Sequence, residues 1–224
     1  MNERTFRNTE ELAEQLVDAL SRVSSAAGSG FRAIMLAGGR TPLVAYRRWT
    51  ASADFSAAPP YFFLSDERHV PADDRENNAG TIAPFFLNAG LPPERFLRVD
   101  TSLELEDAAR RYHAGMETLM SGGCRIPCGL LGVGADGHTA SLFTPEDVAS
   151  AEQSGNWAVA VRRPTPPDRI SVTPRLLARV ERLWLVVTGA EKAEVVERLR
   201  SRPETTAAGQ AIKGHPAVEL WTAI

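Results

Sequence analysis

Residues able to do acid–base chemistry crowd into one short stretch, Gly132-Val-Gly-Ala-Asp-Gly-His-Thr-Ala-Ser-Leu-Phe143. Its glycines shape a turn that presents Asp136, His138, Thr139 and Ser141 together. An imidazole with an unperturbed pKa of about 6.5 accepts a proton at neutral pH and can return it, which makes His138 a candidate general base. Asp136 would orient or polarise that ring. Glycine allows close approach of the backbone to a ligand, because no Cβ stands in the way. A turn histidine can equally be structural, and the polar company of His138 is what separates it from the others. His69 is a secondary candidate, whereas His113 and His215 read as structural or solvated.

Three other stretches carry suitable groups. Gly38-Gly-Arg-Thr-Pro42 runs from an apolar segment into a helix start. Free N–H groups at Gly38, Gly39 and Arg40, the helix dipole and the Thr41 hydroxyl suit a phosphate there. A tight turn without ligand fits the same letters. It is not a Walker A loop, since no Gly-Lys-Ser/Thr follows. Asp66-Glu-Arg-His69 follows the apolar run from Tyr61, so Asp66 and Arg68 fall at a strand end, unless the run is simply a solvated charge cluster. Lys192 heads a helix after Gly189, where it opposes the dipole; a bound anion would explain that, and so would solvation. Arg169 is open in the same way.

The letters Gly132-x-Gly-x-x-Gly137 match a dinucleotide fingerprint, which belongs in the first βα unit with an acidic residue about 20 positions on. Here the motif lies past mid-chain, and the next apolar run ends in Arg162-Arg163, so no nicotinamide cofactor is expected. Neither a metal nor any other cofactor is called for by the residue pattern. Cys124 and Cys128 lack further ligands and read as free thiols at a helix-to-strand junction.

These loops need elements to position them. Helical spacing runs from Thr9 to about Ala27, with Gly28-Ser-Gly30 as a stop, and a loop of small residues covers Ala51 to Pro60. Further helices are expected from Pro42, around Ala79–Asn88 (with Pro84 as a kink or a sign of a later start), over Leu103–Met120, from Pro174 to about Arg182 and over Ala193–Ser201. Apolar runs at Phe31–Ala37, Tyr61–Ser65, Arg95–Val99, Cys128–Val133, Trp157–Val161 and Leu183–Thr188 read as strands, and Ala217–Trp221 as a closing one. Continuously apolar strands alternating with helices predict one α/β domain over residues 1–224, a Rossmann-like open sheet, mostly parallel, with helices on both faces. In such a sheet the strand ends share one edge, so Gly38–Thr41, Asp66–Arg68, Gly132–Ser141 and Gly189–Lys192 should converge. A formal charge of −3 with dispersed Lys and Arg argues against nucleic acid. No segment has the apolar length of a membrane helix, and residues 1–16 lack a secretory core, so a cytoplasmic protein is expected. A monomer or weak homo-oligomer is the expected assembly, though no residue pattern fixes it.

Taken in order, Leu36–Pro42, Asp66–Pro71 with Asn77-Asn78, Gly132–Phe143, Pro167–Thr173 and Gly189–Lys192 resemble the 6-phosphogluconolactonases of the glucosamine/galactosamine-6-phosphate isomerase superfamily. The likeness spans about residues 31 to 195, and Asp136–Phe143 is its most specific part. The related deaminases typically carry Asp-Glu-Tyr in place of Asp66-Glu67-Arg68 and Asn-Glu-Pro after the histidine loop. Ser141-Leu142-Phe143 therefore points to the lactonases. Ala135 replaces a usual Pro, Thr144 intervenes before Pro145, and the usual tryptophan–acid ending is missing. The resemblance implies hydrolysis of 6-phospho-D-glucono-1,5-lactone in the oxidative pentose phosphate pathway. His138 would be the base with Asp136 beside it, and Arg68 or loop N–H groups would meet the oxyanion. Gly38, Gly39, Arg40, Thr41, Asp66, Arg169 and Lys192 would bind substrate. A deaminase-like isomerase and a non-catalytic sugar-phosphate binder are the other readings.

Overall fold

Apolar side chains alternate along the long strands: Ala33 and Met35 join one buried cluster, Ile34 and Leu36 another. Leu183, Leu185 and Val187 separate from Trp184 and Val186 in the same way. Successive side chains of a strand point to opposite faces, so this pattern requires a sheet covered on both. The computed structural model, which describes residues 1–25, 30–53, 55 and 60–224, has that form. Its strands are β1 (Asn2–Thr5), β2 (Arg32–Leu36), β3 (Tyr61–Leu64), β4 (Asp66–Arg68), β5 (Phe96–Leu97), β6 (Arg125–Gly132), β7 (Ala158–Val161), β8 (Arg169–Val172), β9 (Leu183–Thr188) and β10 (Val218–Ala223). The helices are α1 (Thr9–Ser25), α2 (Arg40–Thr50), α3 (Asn78–Asn88), α4 (Leu105–Ser121), α5 (Pro145–Gln153), α6 (Pro174–Leu177), α7 (Ala193–Ser201) and α8 (Ala207–Ala211).

Seven strands form a parallel sheet in the order β1-β10-β9-β6-β2-β3-β5. Helices α1, α2 and α3 cover one face with Leu16, Trp49 and Phe86 among others. On the other face lie α4, α7 and α8, together with a small antiparallel sheet in the order β4-β8-β7. The expected α/β class, mostly parallel with helices on both faces, is the observed one.

Several expectations are corrected. Asp66–Arg68 is a strand of the small sheet rather than a loop, and Trp157–Val161 contributes β7 to that sheet. The connection 162–168 is too short for a parallel crossover, so β7 and β8 form an antiparallel pair. Helix α6 stops at Leu177 instead of continuing to Arg182, because Val180 bridges to Ile126 and Glu181 N donates to Ile126 O at 2.8 Å. Helix α3 does not start late at Pro84: Asn77 Oδ1 caps it by accepting from Gly80 N at 2.7 Å, and the helix runs through the proline. The closing strand is present as β10, Val218–Ala223, and it lies between β1 and β9. The polar run Asn2–Thr5 gave no strand signal and owes its conformation to pairing with β10. The expected end of the first helix at Ala27, its Gly28-Ser29 stop and much of the Ala51–Pro60 loop fall outside the described residues.

Two buried phenols finish the strands that lead into the site. Tyr46 Oη donates to Ala37 O at 3.2 Å and accepts from Ala37 N at 3.0 Å. Tyr112 Oη does the same for Leu64, at 2.7 and 3.0 Å. Both hydroxyls titrate well above the ordinary tyrosine range because burial disfavours the phenolate. Replacing Tyr112 by Phe leaves the Leu64 N–H and C=O without that partner in a dry interior. Tyr112→Phe is expected to lower stability by about 1–3 kcal/mol, read as an earlier denaturation midpoint at unchanged m-value.

Candidate active site

The chain leaving β6 doubles back at once. Gly137 N donates to Gly134 O at 2.9 Å and Gly134 N to His138 O at 3.0 Å, with Gly137 at a φ of 95°. Thr139 Oγ1 donates to Gly132 O at 2.8 Å. Leu142 N donates to Thr139 O at 2.9 Å across Ala140, which is held at a φ of 47°, an uncommon and strained setting for a residue with a Cβ. Inside this turn His138 Nδ1 lies 2.6 Å from Asp136 Oδ1, and the same oxygen accepts from His138 N at 3.1 Å. Burial works to raise the Asp136 carboxyl, but the N–H and imidazole of His138 outweigh it and hold the group below the usual aspartate value. A carboxylate on Nδ1 fixes that nitrogen as the protonated one, leaving Nε2 as the basic atom. The ring packs on Phe143, with centroids 4.7 Å apart.

Two groups of cations flank this turn. On one side α2 begins at Gly39, whose φ of 106° suits glycine, and no side chain caps its first N–H groups. Thr41 Oγ1 and Thr188 Oγ1, 3.0 Å apart, tie that helix start to the end of β9. Lys192 follows at the head of α7; its ammonium pKa is lowered by burial, and the Arg40 charge acts the same way against Glu191 and Asp136. Arg40, Lys192 and Asp136 are thus electrostatic neighbours.

On the other side β4 and β8 place Arg68 opposite Arg169. Arg169 has its pKa lowered by burial first, and then by the Arg68 and Arg163 charges, with Asp66 and Glu76 opposing. Arg169 Nη1 donates to Pro167 O, and Arg68 Nη1 to Glu76 O at 2.9 Å. The Arg163 guanidinium carbon lies 3.4 Å from the centroid of the Phe143 ring that meets His138. Asp66 joins the two elements: Ser65 Oγ donates to its Oδ1 at 2.9 Å, and Ser141 Oγ of the histidine turn to its Oδ2 at 2.8 Å.

The structure therefore brings His138, Asp136, Asp66, Arg68 and Arg169 together through Ser141 and Phe143, and Gly39, Arg40, Thr41 and Lys192 onto the Asp136 side. Gly38 abuts Asn78, whose amide occupies the space a Cβ would need. The remaining histidines are tied to backbone: His69 Nε2 to Leu103 O at 2.8 Å, His215 Nε2 to Val180 O at 2.7 Å, and His113 Nδ1 accepts from Trp157 N at 3.1 Å. Sequence reasoning passed over Glu67, Asn78, Arg163 and the Ser141–Asp66 link. Glu67 carries no signal of its own, because Asp66–Arg68 has the composition of a loop and the inward side chain follows only from pairing with β8. Thr144, the extra residue before Pro145, caps α5 in a reciprocal pair with Asp147. A groove of about 1130 Å³ lies at the opposite edge of the sheet near Arg182, Lys213 and His215, and contains none of these site residues.

A His–Asp pair held in a strand-end turn between two cationic groups, at the carboxyl edge of a parallel sheet, is the setting in which α/β proteins bind small ligands. The profile of the family described as glucosamine-6-phosphate isomerases/6-phosphogluconolactonase matches residues 7–220. A 6-phosphogluconolactonase of Treponema pallidum is 32% identical over 185 residues, 77% of this chain and 74% of that protein. One from Thermotoga maritima is 34% identical over 178 residues, 76% of each. The crystal structure of a 6-phosphogluconolactonase from Shewanella baltica superposes with a TM-score of 0.86 over 100% of this chain and 98% of that one; at 21% identity this likeness concerns the fold. The chain belongs to the glucosamine-6-phosphate isomerase/6-phosphogluconolactonase family.

A methyl group on Gly134 would fall inside van der Waals contact of both the His138 ring and the Asp136 carboxylate. Gly134→Ala is expected to part that pair and lower catalytic turnover by about 100-fold or more, in line with loss of a positioned base. Steady-state kinetics beside a melting curve would check that the loss is local.

Proposed function

We propose that this chain hydrolyses 6-phospho-D-glucono-1,5-lactone to 6-phosphogluconate, in the oxidative pentose phosphate pathway, as one domain acting on a free metabolite in the cytoplasm. Its relatives at 32% and 34% identity carry that activity in their names. The observation that carries the reading at the level of chemistry is His138, with Nδ1 occupied by Asp136 at 2.6 Å and Nε2 left as the base.

His138 Nε2 takes a proton from water as the water oxygen bonds to lactone C1. The carbonyl electrons move to oxygen, and Asp136 stabilises the imidazolium that forms. Arg68, or N–H groups of the histidine turn, meet the oxyanion. The intermediate collapses with rupture of the bond from C1 to the ring oxygen, and the imidazolium returns the proton to that oxygen as it leaves. The product acid then loses a proton to solvent. The α2 start at Gly39–Thr41 and the Lys192 ammonium suit the phosphate, with Arg169 completing the grip. No step is assigned to a metal or cofactor.

A deaminase-isomerase would use the same phosphate grip but release ammonia from glucosamine 6-phosphate, and a binding protein would turn over nothing. Purified protein assayed for lactone hydrolysis above the spontaneous rate, beside an ammonia assay, separates the three. His138→Ala is expected to lower kcat by about 10²–10⁴-fold, whereas wild-type kcat in that variant would remove His138 from the role. Lys192→Ala is expected to raise KM by about 10-fold or more with a smaller change in kcat, the pattern of a lost charge-assisted contact to the non-reacting end of the substrate.

A further inference from the structure

Glu67 is a carboxylate that the mechanism above does not use. It is fully buried at the middle of β4. Its Oε1 accepts from Asn78 N at 2.6 Å and from Arg68 N at 2.8 Å, and its Oε2 from Ala79 N at 2.7 Å. One side chain thus fastens the first turn of α3 to the strand that carries Asp66 and Arg68. Asn78 passes the constraint on: its Nδ2 donates to Asp66 O at 3.0 Å, and its amide fills the space beside Gly38 at the start of the Gly38–Thr41 turn. Asp66 in turn receives the Ser141 hydroxyl from the histidine turn at 2.8 Å. Both cationic groups of the site therefore lead back to this one buried carboxylate.

We propose that Glu67 is a positioning residue, whose ionised carboxylate holds Arg68, Asp66 and, through Asn78, the Gly38 turn in the arrangement that binds and turns over substrate. The inference rests on the lactonase reading. Three converging N–H groups require acceptor atoms, and only a carboxylate offers enough of them in this geometry. A protonated carboxyl, or a glutamine, turns one acceptor into a donor pointed at a backbone N–H. Burial raises the Glu67 carboxyl to about 7 against the pull of the Ala79, Asn78 and Arg68 N–H groups, and the Asp66 charge adds to the rise. The other ionisable groups near it are Arg68 on its own strand and Tyr112 of α4, while β8 presents Ile170 opposite. Because the folded value lies above the ordinary 4.5, the carboxylate is complete only above about pH 7 and is lost as the pH falls through it.

The test compares wild type with Glu67→Gln and Asn78→Ala by lactone kinetics over a pH series. Wild-type log kcat/KM should fall on the acid side with a limiting slope of two, because His138 and Glu67 must both be deprotonated. In Glu67→Gln the slope should drop to one, with kcat/KM at pH 8 lower by about 10-fold. Asn78→Ala should keep the slope of two while KM rises. Independently of turnover, the backbone amide resonances of Asn78, Ala79, Arg68 and Gly38 should titrate together in the wild-type protein near pH 7. A Glu67→Gln enzyme with wild-type kcat/KM and the wild-type slope would overturn the proposal. So would amide resonances that do not move with pH, which decides the matter even if the variant fails to fold. Absence of lactone hydrolysis by the wild type would count against the lactonase reading alone, and the amide titration would still test whether Glu67 controls the site.

Discussion

The contact between His138 Nδ1 and Asp136 Oδ1, at 2.6 Å, joins residues two apart in sequence, so it exists only where the chain turns sharply between them. Gly137 supplies the turn with its φ of 95°, and Gly134 supplies the space, since any Cβ there would strike both partners. From that contact follow the tautomer of the imidazole, the freedom of Nε2 and the depressed carboxyl of Asp136. A His–Asp pair assembled within one turn needs no long-range fit to exist. Its long-range fit is spent on aim instead.

Aim comes from the sheet. Parallel pairing of β6 with β2 and β9 brings the ends of all three to one edge, so the histidine turn meets the Gly39 helix start and the Thr188–Lys192 exit without special provision. Tyr46 and Tyr112 occupy the backbone groups at Ala37 and Leu64, where neighbouring strands stop short. The second, antiparallel sheet adds what the parallel one lacks, a platform bearing Arg68 and Arg169. Asp66 and Ser141 join the platform to the turn. The site is therefore a seam between two sheets rather than a single strand-end crevice.

Legibility in the sequence divides along the same seam. The strands of the parallel sheet announce themselves as apolar runs, and the residues in their exit loops, His138, Asp136, Gly39, Thr41 and Lys192, could be picked out because glycine-rich turns follow those runs directly. Of the small sheet only β7 reads as a strand, from the apolar run Trp157–Val161. Its strands are three or four residues long, and Asp66–Arg68 has the composition of a solvated loop. Its burial depends on partners about a hundred residues away in sequence, such as Ser171 opposite Asp66. Glu67 was unreadable for the same reason: a charged residue becomes a plausible core residue only once the α3 N–H groups that satisfy it are known. The closing strand is legible as an apolar run, but its internal place is not, because that depends on pairing with the polar Asn2–Thr5.

The role of His138 turns on which of its ring nitrogens carries the proton. Protein labelled with ¹⁵N at histidine, studied by imidazole NMR above the ring's protonation range, reports the tautomer directly. Protonated Nδ1 and bare Nε2, with the Nδ1 proton lost from its hydrogen-bonded position in Asp136→Ala, is the result the structure requires. A ring that is protonated at Nε2 in the wild-type protein would leave no base facing the substrate and would contradict the account.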